Sequence, residues 1–118
     1  MSGKHQIDYQ QVRRYFAHAG GATAASASYM AHAQDLPENA VRYRFWKERK
    51  AIRDWLNVGG AQARVLDVGC GSGTWTAFFA QRFGSVIGIE QSAAMLVAAE
   101  AMLRGRSNVE LLNQDVRE

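Results

Sequence analysis

The stretch Val65-Leu66-Asp67-Val68-Gly69-Cys70-Gly71-Ser72-Gly73-Thr74 decides the fold of this 118-residue chain. Its first four residues read as a short buried strand and the rest as a glycine-rich turn. Glycines at alternate positions 69, 71 and 73 let a backbone come close to a ligand, because no Cβ stands in the way. The apolar run points the turn at the carboxyl edge of a sheet, where open α/β folds bind their ligands. Asp67 closes the strand, two residues before the first glycine. A loop that cradles phosphates does not want a carboxylate beside it. The spacing is also wrong for one: Thr74 stands where G-x-G-x-x-G needs its third glycine, and no Gly-Lys-Ser/Thr ending is present. An acid beside a close-approach loop suits a ligand with a positive or donor-rich end.

The next forty residues support this reading. Thr74 to Phe83 has the length of a crossover helix, with Trp75, Phe78, Phe79 and Phe83 at helical spacing. Gly84 is expected to cap it. Val86-Ile87-Gly88-Ile89-Glu90 is a second apolar run ending in an acid, and Glu90 is placed to accept from two ribose hydroxyls. Ser92 is a good N-cap for a helix over Ala93 to Leu103. Met95, Leu96, Ala99, Met102 and Leu103 form its apolar face, and Gly105 ends it. Asn108 to Leu112 reads as a third strand, followed by Asn113-Gln114-Asp115-Val116.

Three pieces in this order, VLDVGCGSGTWT (65–76), VIGIEQSAAML (86–96) and VELLNQDV (109–116), resemble the class I S-adenosylmethionine-dependent methyltransferases. The resemblance covers residues 62–118. It implies an α/β, Rossmann-like three-layer sandwich, of which this chain holds the first half, with parallel strands in the order 3-2-1. It also implies S-adenosylmethionine as cofactor. The first acid and the glycine loop would hold its methionyl end, which maps onto Asp67, Gly69, Cys70, Gly71 and Gly73. Glu90 would hold the ribose, Gln91 and Met95 would pack on the adenine, Asp115 would bind the adenine amine, and Val116 would offer backbone contacts.

Each residue also has a plainer reading. The plainer reading of Asp67 is a helix-capping or loop-bridging acid, of Glu90 a solvated strand end and of Asp115 a turn residue; the cofactor reading is favoured for each. Met95 and Met102 fit a helix core. Cys70 reads as a small loop residue rather than a nucleophile, since no histidine is near it in sequence.

Residues 1–60 are a separate helical segment, expected to cover the cofactor or substrate site of residues 61–118. Ile7 to His18 reads as a short helix. Ala19 to Gln34, rich in alanine, serine and glycine, reads as a loop or a weak helix. Asp35 and Pro37 mark a strong helix start, with the helix running from Glu38 to Asn57 and ended by Gly59-Gly60. Val41, Phe45, Ile52 and Leu56 share a face. Tyr29, Arg42, Tyr43 and Trp46 are candidates for shaping a substrate pocket, against a plainer role in core or surface.

Only three of the family's seven strands fit before Glu118. The expectation is therefore a fragment, or a chain completed by a partner, with an open edge on the first strand that invites self-association. Alone it is expected to be inactive, and no catalytic base can be named from it. Residues 1–60 carry nine Lys/Arg against five Asp/Glu, and residues 61–118 five against six. The basic cluster Arg42, Arg44, Lys47, Arg49, Lys50 and Arg53 raises a nucleic-acid partner, but a solvated face is the favoured reading. One cysteine excludes an internal disulfide and suits a reducing cytoplasm. No membrane partner is expected, and no metal site from the isolated His5, His18 and His32. The function indicated is methyl transfer to a small molecule. The alternatives are a non-catalytic cofactor-binding or assembly module and, behind it, a nucleic-acid methyltransferase.

Overall fold

The computed structural model describes residues 6–22 and 37–118. Its centre is a three-stranded parallel sheet, β1 (Arg64–Val68), β2 (Ser85–Glu90) and β3 (Val109–Asn113), in the order β1-β2-β3. Helix α3 (Thr74–Ala80) links the first pair and α4 (Ala93–Met102) the second. This is the expected 3-2-1 order, seen from the other end. Parallel neighbours require such crossovers, and the right-handed crossover puts both helices on one face.

The register aligns Val65 with Val86, Asp67 with Gly88, Gly88 with Leu111 and Glu90 with Asn113. Side chains alternate across a strand, so these residues share the helical face. Burial follows the alternation: Val86, Gly88 and Glu90 are buried. Val86 is 1% exposed, a burial worth about 1.5–3 kcal/mol. A Cβ on Gly88 would stand 2.8 Å from the Leu111 side chain and 3.0 Å from the Cys70 sulfur. Glycine there lets the loop pack onto the strand. The opposite face leaves Leu66 and Val68 58% and 55% exposed. The described residues thus supply the sheet and one helical layer of the sandwich.

Ser92 caps α4 by accepting from the Met95 N–H at 3.3 Å. Met95, Leu96, Ala99 and Leu103 are buried as expected, together with Ala98. Met102 is 45% exposed and does not belong to the core face. Gly84 does not cap α3: its φ is not positive. Its N–H donates to the Ala63 carbonyl at 3.0 Å, and a Cβ would meet the Ala61 oxygen at 2.6 Å. Glycine is needed there for close passage of the chain before β1.

Helix α1 (Tyr9–Ala22) starts two residues later than Ile7 and is capped by Asp8. The Asp8 carboxylate accepts from the N–H groups of Gln10 and Gln11 at 3.0 and 3.1 Å. That side-chain cap satisfies two otherwise orphaned donors. Helix α2 runs Glu38–Ala51 and then tightens into a 3-10 turn, Arg53–Asn57, so the single helix expected to Asn57 is two pieces. Pro37 is its N-cap, without a side-chain hydrogen bond. The expected start at Asp35, and most of the Ala19–Gln34 stretch, lie outside the described residues.

Helix α1 packs on α4. Helix α2 reaches α3 through Phe45, whose ring meets Trp75 edge-on at 4.8 Å and Phe78 at 6.2 Å. The Arg49 guanidinium lies over Phe45 at 4.7 Å and Phe78 at 5.6 Å, a cation–π arrangement.

Candidate functional site

The three strands end together, and their carboxyl ends floor a cavity of about 630 Å³, within the usual range for small-molecule sites. Asp67 and Glu90 line it at the floor, and Gln114 to Arg117 follow β3 along one side. The glycine loop, Trp75 and Met95 add further walls, and Tyr9 and Val12 of α1 close over it.

The loop is suspended from β2. The N–H groups of Gly69 and Cys70 both donate to the Ile89 carbonyl, at 2.8 and 3.0 Å. The Gly71 N–H donates to Glu90 Oε2 at 2.9 Å, and the Ser92 N–H to Glu90 Oε1 at 3.0 Å. Glu90 therefore ties the loop to the start of α4. Each of its oxygens holds one internal donor, which leaves acceptor capacity on both.

The glycines have different duties. A Cβ on Gly69, where φ is +71°, would meet nothing within 4 Å; this is the position that leaves room for a ligand. A Cβ on Gly73 would sit 3.1 Å from Leu103 and 3.2 Å from Ala99. Gly73 does not line the cavity and instead lets α4 approach the start of α3.

Asp67 accepts from Thr76 Oγ1 at 2.7 Å. Burial pushes its carboxyl pKa up; the Thr76 hydrogen bond pulls it down, and the Glu90 charge raises it further. A positive charge beside it would reverse that strain. The Cys70 thiol is pushed up to about 12 by burial and by the charges of Asp67 and Glu90. It stays protonated near neutral pH, so it is no nucleophile. Asp115 is buried between two arginines, Arg117 and Arg13. The hydrogen bonds of Arg117, then that of Arg13, hold its carboxyl far below the usual range.

Asp67, Gly69, Cys70, Gly71, Glu90, Gln91, Met95, Asp115 and Val116 all line the one cavity. Arg42, Tyr43 and Trp46 do not. Tyr43 and Trp46 stack on each other at 5.8 Å on an exposed side of α2, with the Lys47 and Lys50 ammonium groups over their rings. Tyr29 lies outside the described residues. Sequence reasoning missed Tyr9, Val12, Arg13 and Arg117. Nothing local marks a pair such as Arg13 and Asp115, 102 positions apart. The Thr76 bond to Asp67 was also missed. Among the described residues, no group of three His, Cys, Asp or Glu could hold a metal, and no helix is long and apolar enough to cross a membrane.

Residues 65–118 match the profile of a methyltransferase domain. These residues belong to the methyltransferase family, and the fold is that of the class I S-adenosylmethionine-dependent methyltransferases. A ubiquinone biosynthesis O-methyltransferase of Pseudomonas fluorescens is 36% identical over 92 residues, covering 67% of this chain and 40% of that protein. A trans-aconitate 2-methyltransferase of Deinococcus radiodurans is 54% identical over 41 residues, 33% of this chain and 16% of its own. Among solved structures, the complex of DhpI with SAM and HEP is 25% identical with a TM-score of 0.57, covering 97% of this chain and 45% of that one. The chain thus spans less than half the length of the relatives it matches.

S-adenosylmethionine is the cofactor of this methyltransferase family. The residues present fit it. It carries positive charge at the sulfonium and the amino group, and the cavity floor holds two carboxylates, one of them strained by burial. It carries two ribose hydroxyls, and Glu90 has spare acceptor sites on both oxygens. The open space at Gly69 admits the close approach the methionyl part needs.

Proposed function

We propose that this chain is the cofactor-binding part of a methyltransferase acting on a small molecule, with an oxygen as the methyl acceptor. The cofactor supplies a methyl group on a positively charged sulfur. The chain's own residues bind and orient it. Asp67 faces the positive methionyl end and Gly69 leaves it room. Glu90 accepts from the ribose hydroxyls while holding Gly71. Gln91 and Met95 flank the adenine, with Asp115 and Val116 at its edge. Within residues 1–60, Tyr9 and Val12 of α1, rather than α2, cover the site in the protein without cofactor. Orientation of two reactants is the main contribution such a site makes, since alignment alone is worth roughly 7–11 kcal/mol of barrier.

The observation that carries this reading is the meeting of Asp67, Glu90 and the open side of Gly69 in one cavity at the sheet's carboxyl edge. The names of the relatives favour a small-molecule oxygen acceptor: one acts in ubiquinone biosynthesis as an O-methyltransferase and another on trans-aconitate. Calorimetric titration with S-adenosylmethionine and S-adenosylhomocysteine tests it. Saturable one-to-one binding that Asp67→Asn and Glu90→Ala weaken is expected. No binding by a folded chain would overturn it.

A second reading rests on the edge of β1. Among the described residues it pairs only with β2, so its other row of backbone donors and acceptors is open to a further strand, while the exposed Leu66 and Val68 leave that sheet face open to a second layer. A cofactor-binding module that works joined to more polypeptide, its own or a partner's, would use that edge. Light scattering distinguishes self-association from a monomer.

A further inference from the structure

The Asp115 carboxylate has no acceptor site left. A carboxylate offers about four lone-pair positions. Oδ1 accepts from the Arg117 backbone N–H and from Arg117 Nε, both at 3.0 Å. Oδ2 accepts from Arg117 Nη2 and from Arg13 Nη2, both at 2.5 Å, with Nε shared at 3.2 Å. The side chain is 6% exposed, so water does not compete. An adenine amine is a donor, and to bond this carboxylate it must displace one already there.

The four donors are not equally easy to give up. Three come from Arg117, two residues along, through its backbone and a two-pronged guanidinium. The fourth is a single contact from Arg13; both arginines are about half-exposed, but Arg13 gives up one bond where Arg117 would give up several. Arg13 is on α1, the helix whose Tyr9 and Val12 close the cavity. The Arg117 guanidinium also lies 4.1 Å from the Tyr9 ring, so that arginine is held from both sides.

We infer that Arg13 and the cofactor's adenine amine compete for Oδ2 of Asp115, which makes Arg13 a determinant of cofactor affinity and couples binding to release of α1. The inference rests on Asp115 being the adenine contact. Linkage makes it reciprocal: docking of α1 weakens the cofactor by the factor by which the cofactor weakens docking.

The test is calorimetry with S-adenosylhomocysteine on the full chain and on Arg13→Ala, with hydrogen exchange of the α1 amides. Arg13→Ala is expected to bind about threefold or more tighter, the scale of an exposed ion pair. Exchange in α1 should quicken on binding in the parent and change little in the variant. The analogue with a 6-oxo purine, lacking the amine, should bind both proteins alike. Weaker or unchanged binding by Arg13→Ala, or α1 amides that slow on binding in the parent, would overturn the competition. Asp115→Ala, which leaves no side-chain acceptor, separates the two levels. If it binds normally, the adenine contact itself is wrong and the competition falls with it. If it binds weakly while Arg13→Ala is not tighter, only the competition falls.

Discussion

Replacing Glu90 by alanine removes two kinds of hydrogen bond at once, and they can be measured apart. Inside the protein its oxygens hold the N–H groups of Gly71 and Ser92. Losing these leaves two donors short of a partner, at roughly 1 kcal/mol or more each. For a domain of this size 1 kcal/mol moves Tm by about 4–8 °C, so a fall of about 10 °C is expected in the free protein. Toward the cofactor, two hydroxyl bonds to a charged acceptor disappear, each worth roughly 1.5–3 kcal/mol. Some water replaces them, and a net loss of about 3 kcal/mol weakens binding by roughly 100-fold. The control is Ser92→Ala. Its hydroxyl caps α4 and does not face the cavity; losing the cap costs about 1 kcal/mol and should leave affinity within about twofold. Calorimetry gives the affinities and thermal unfolding without cofactor gives the stabilities. Glu90→Ala binding with parental affinity, or Ser92→Ala losing as much affinity as Glu90→Ala, would refute the ribose assignment.

Gly69→Ala should weaken cofactor binding more than Gly73→Ala does, while Gly73→Ala should cost more stability. The first Cβ enters open cavity and the second meets Ala99 and Leu103 at 3.2 and 3.1 Å; the reverse ranking would mean that the cavity side of the loop does not face the ligand. Cofactor affinity should rise with pH through the folded-state pKa of Asp67. That pKa lies above the ordinary 3.8, so just above 3.8 the free protein still holds the proton, and a cationic ligand expels it. The same shift means that ionising Asp67 weakens the fold as pH rises through that window. Asp67→Asn should abolish the pH step, and proton uptake on binding would contradict the sign. The Cys70 thiol, raised to about 12, should resist iodoacetamide at pH 8 until the chain unfolds; rapid labelling of the folded protein would show a different loop.

The strand order came from the family resemblance, and the strands themselves were legible because each is a short apolar run with an acid at its end or within two residues of it, followed by a turn. Those signals are local and survive without tertiary information. What failed was decided by distant contacts. Gly84 looks like a helix cap in sequence, and only the passage of Ala61 and Ala63 beside it shows why it is glycine. Met102 fits the apolar stripe of α4, yet it is 45% exposed while its neighbour Leu103 is buried. Helix α2 carries the more conspicuous aromatic residues, but Phe45 turns it onto α3 and leaves Tyr43 and Trp46 pointing away from the cavity. The cover comes from α1, whose tie to Asp115 has no sequence signature.

These features share one physical logic. A fold built for stability alone would not leave Asp67 strained by burial beside the charge of Glu90. Local violations of this kind mark functional sites, where the cost is offset elsewhere. The offset is visible here: Thr76 holds Asp67, and the Gly71 and Ser92 N–H groups hold Glu90. Each carboxylate is fixed by the protein, while part of its acceptor capacity stays unused. A cofactor with a positive methionyl end and a donor-bearing ribose relieves that strain, and this relief is a source of binding energy available only to ligands of that charge. At Asp115 the protein supplies its own cations instead, so that carboxylate is the one where a ligand must displace something. The site is thus poised differently at its two ends, open to positive charge at Asp67 and occupied at Asp115.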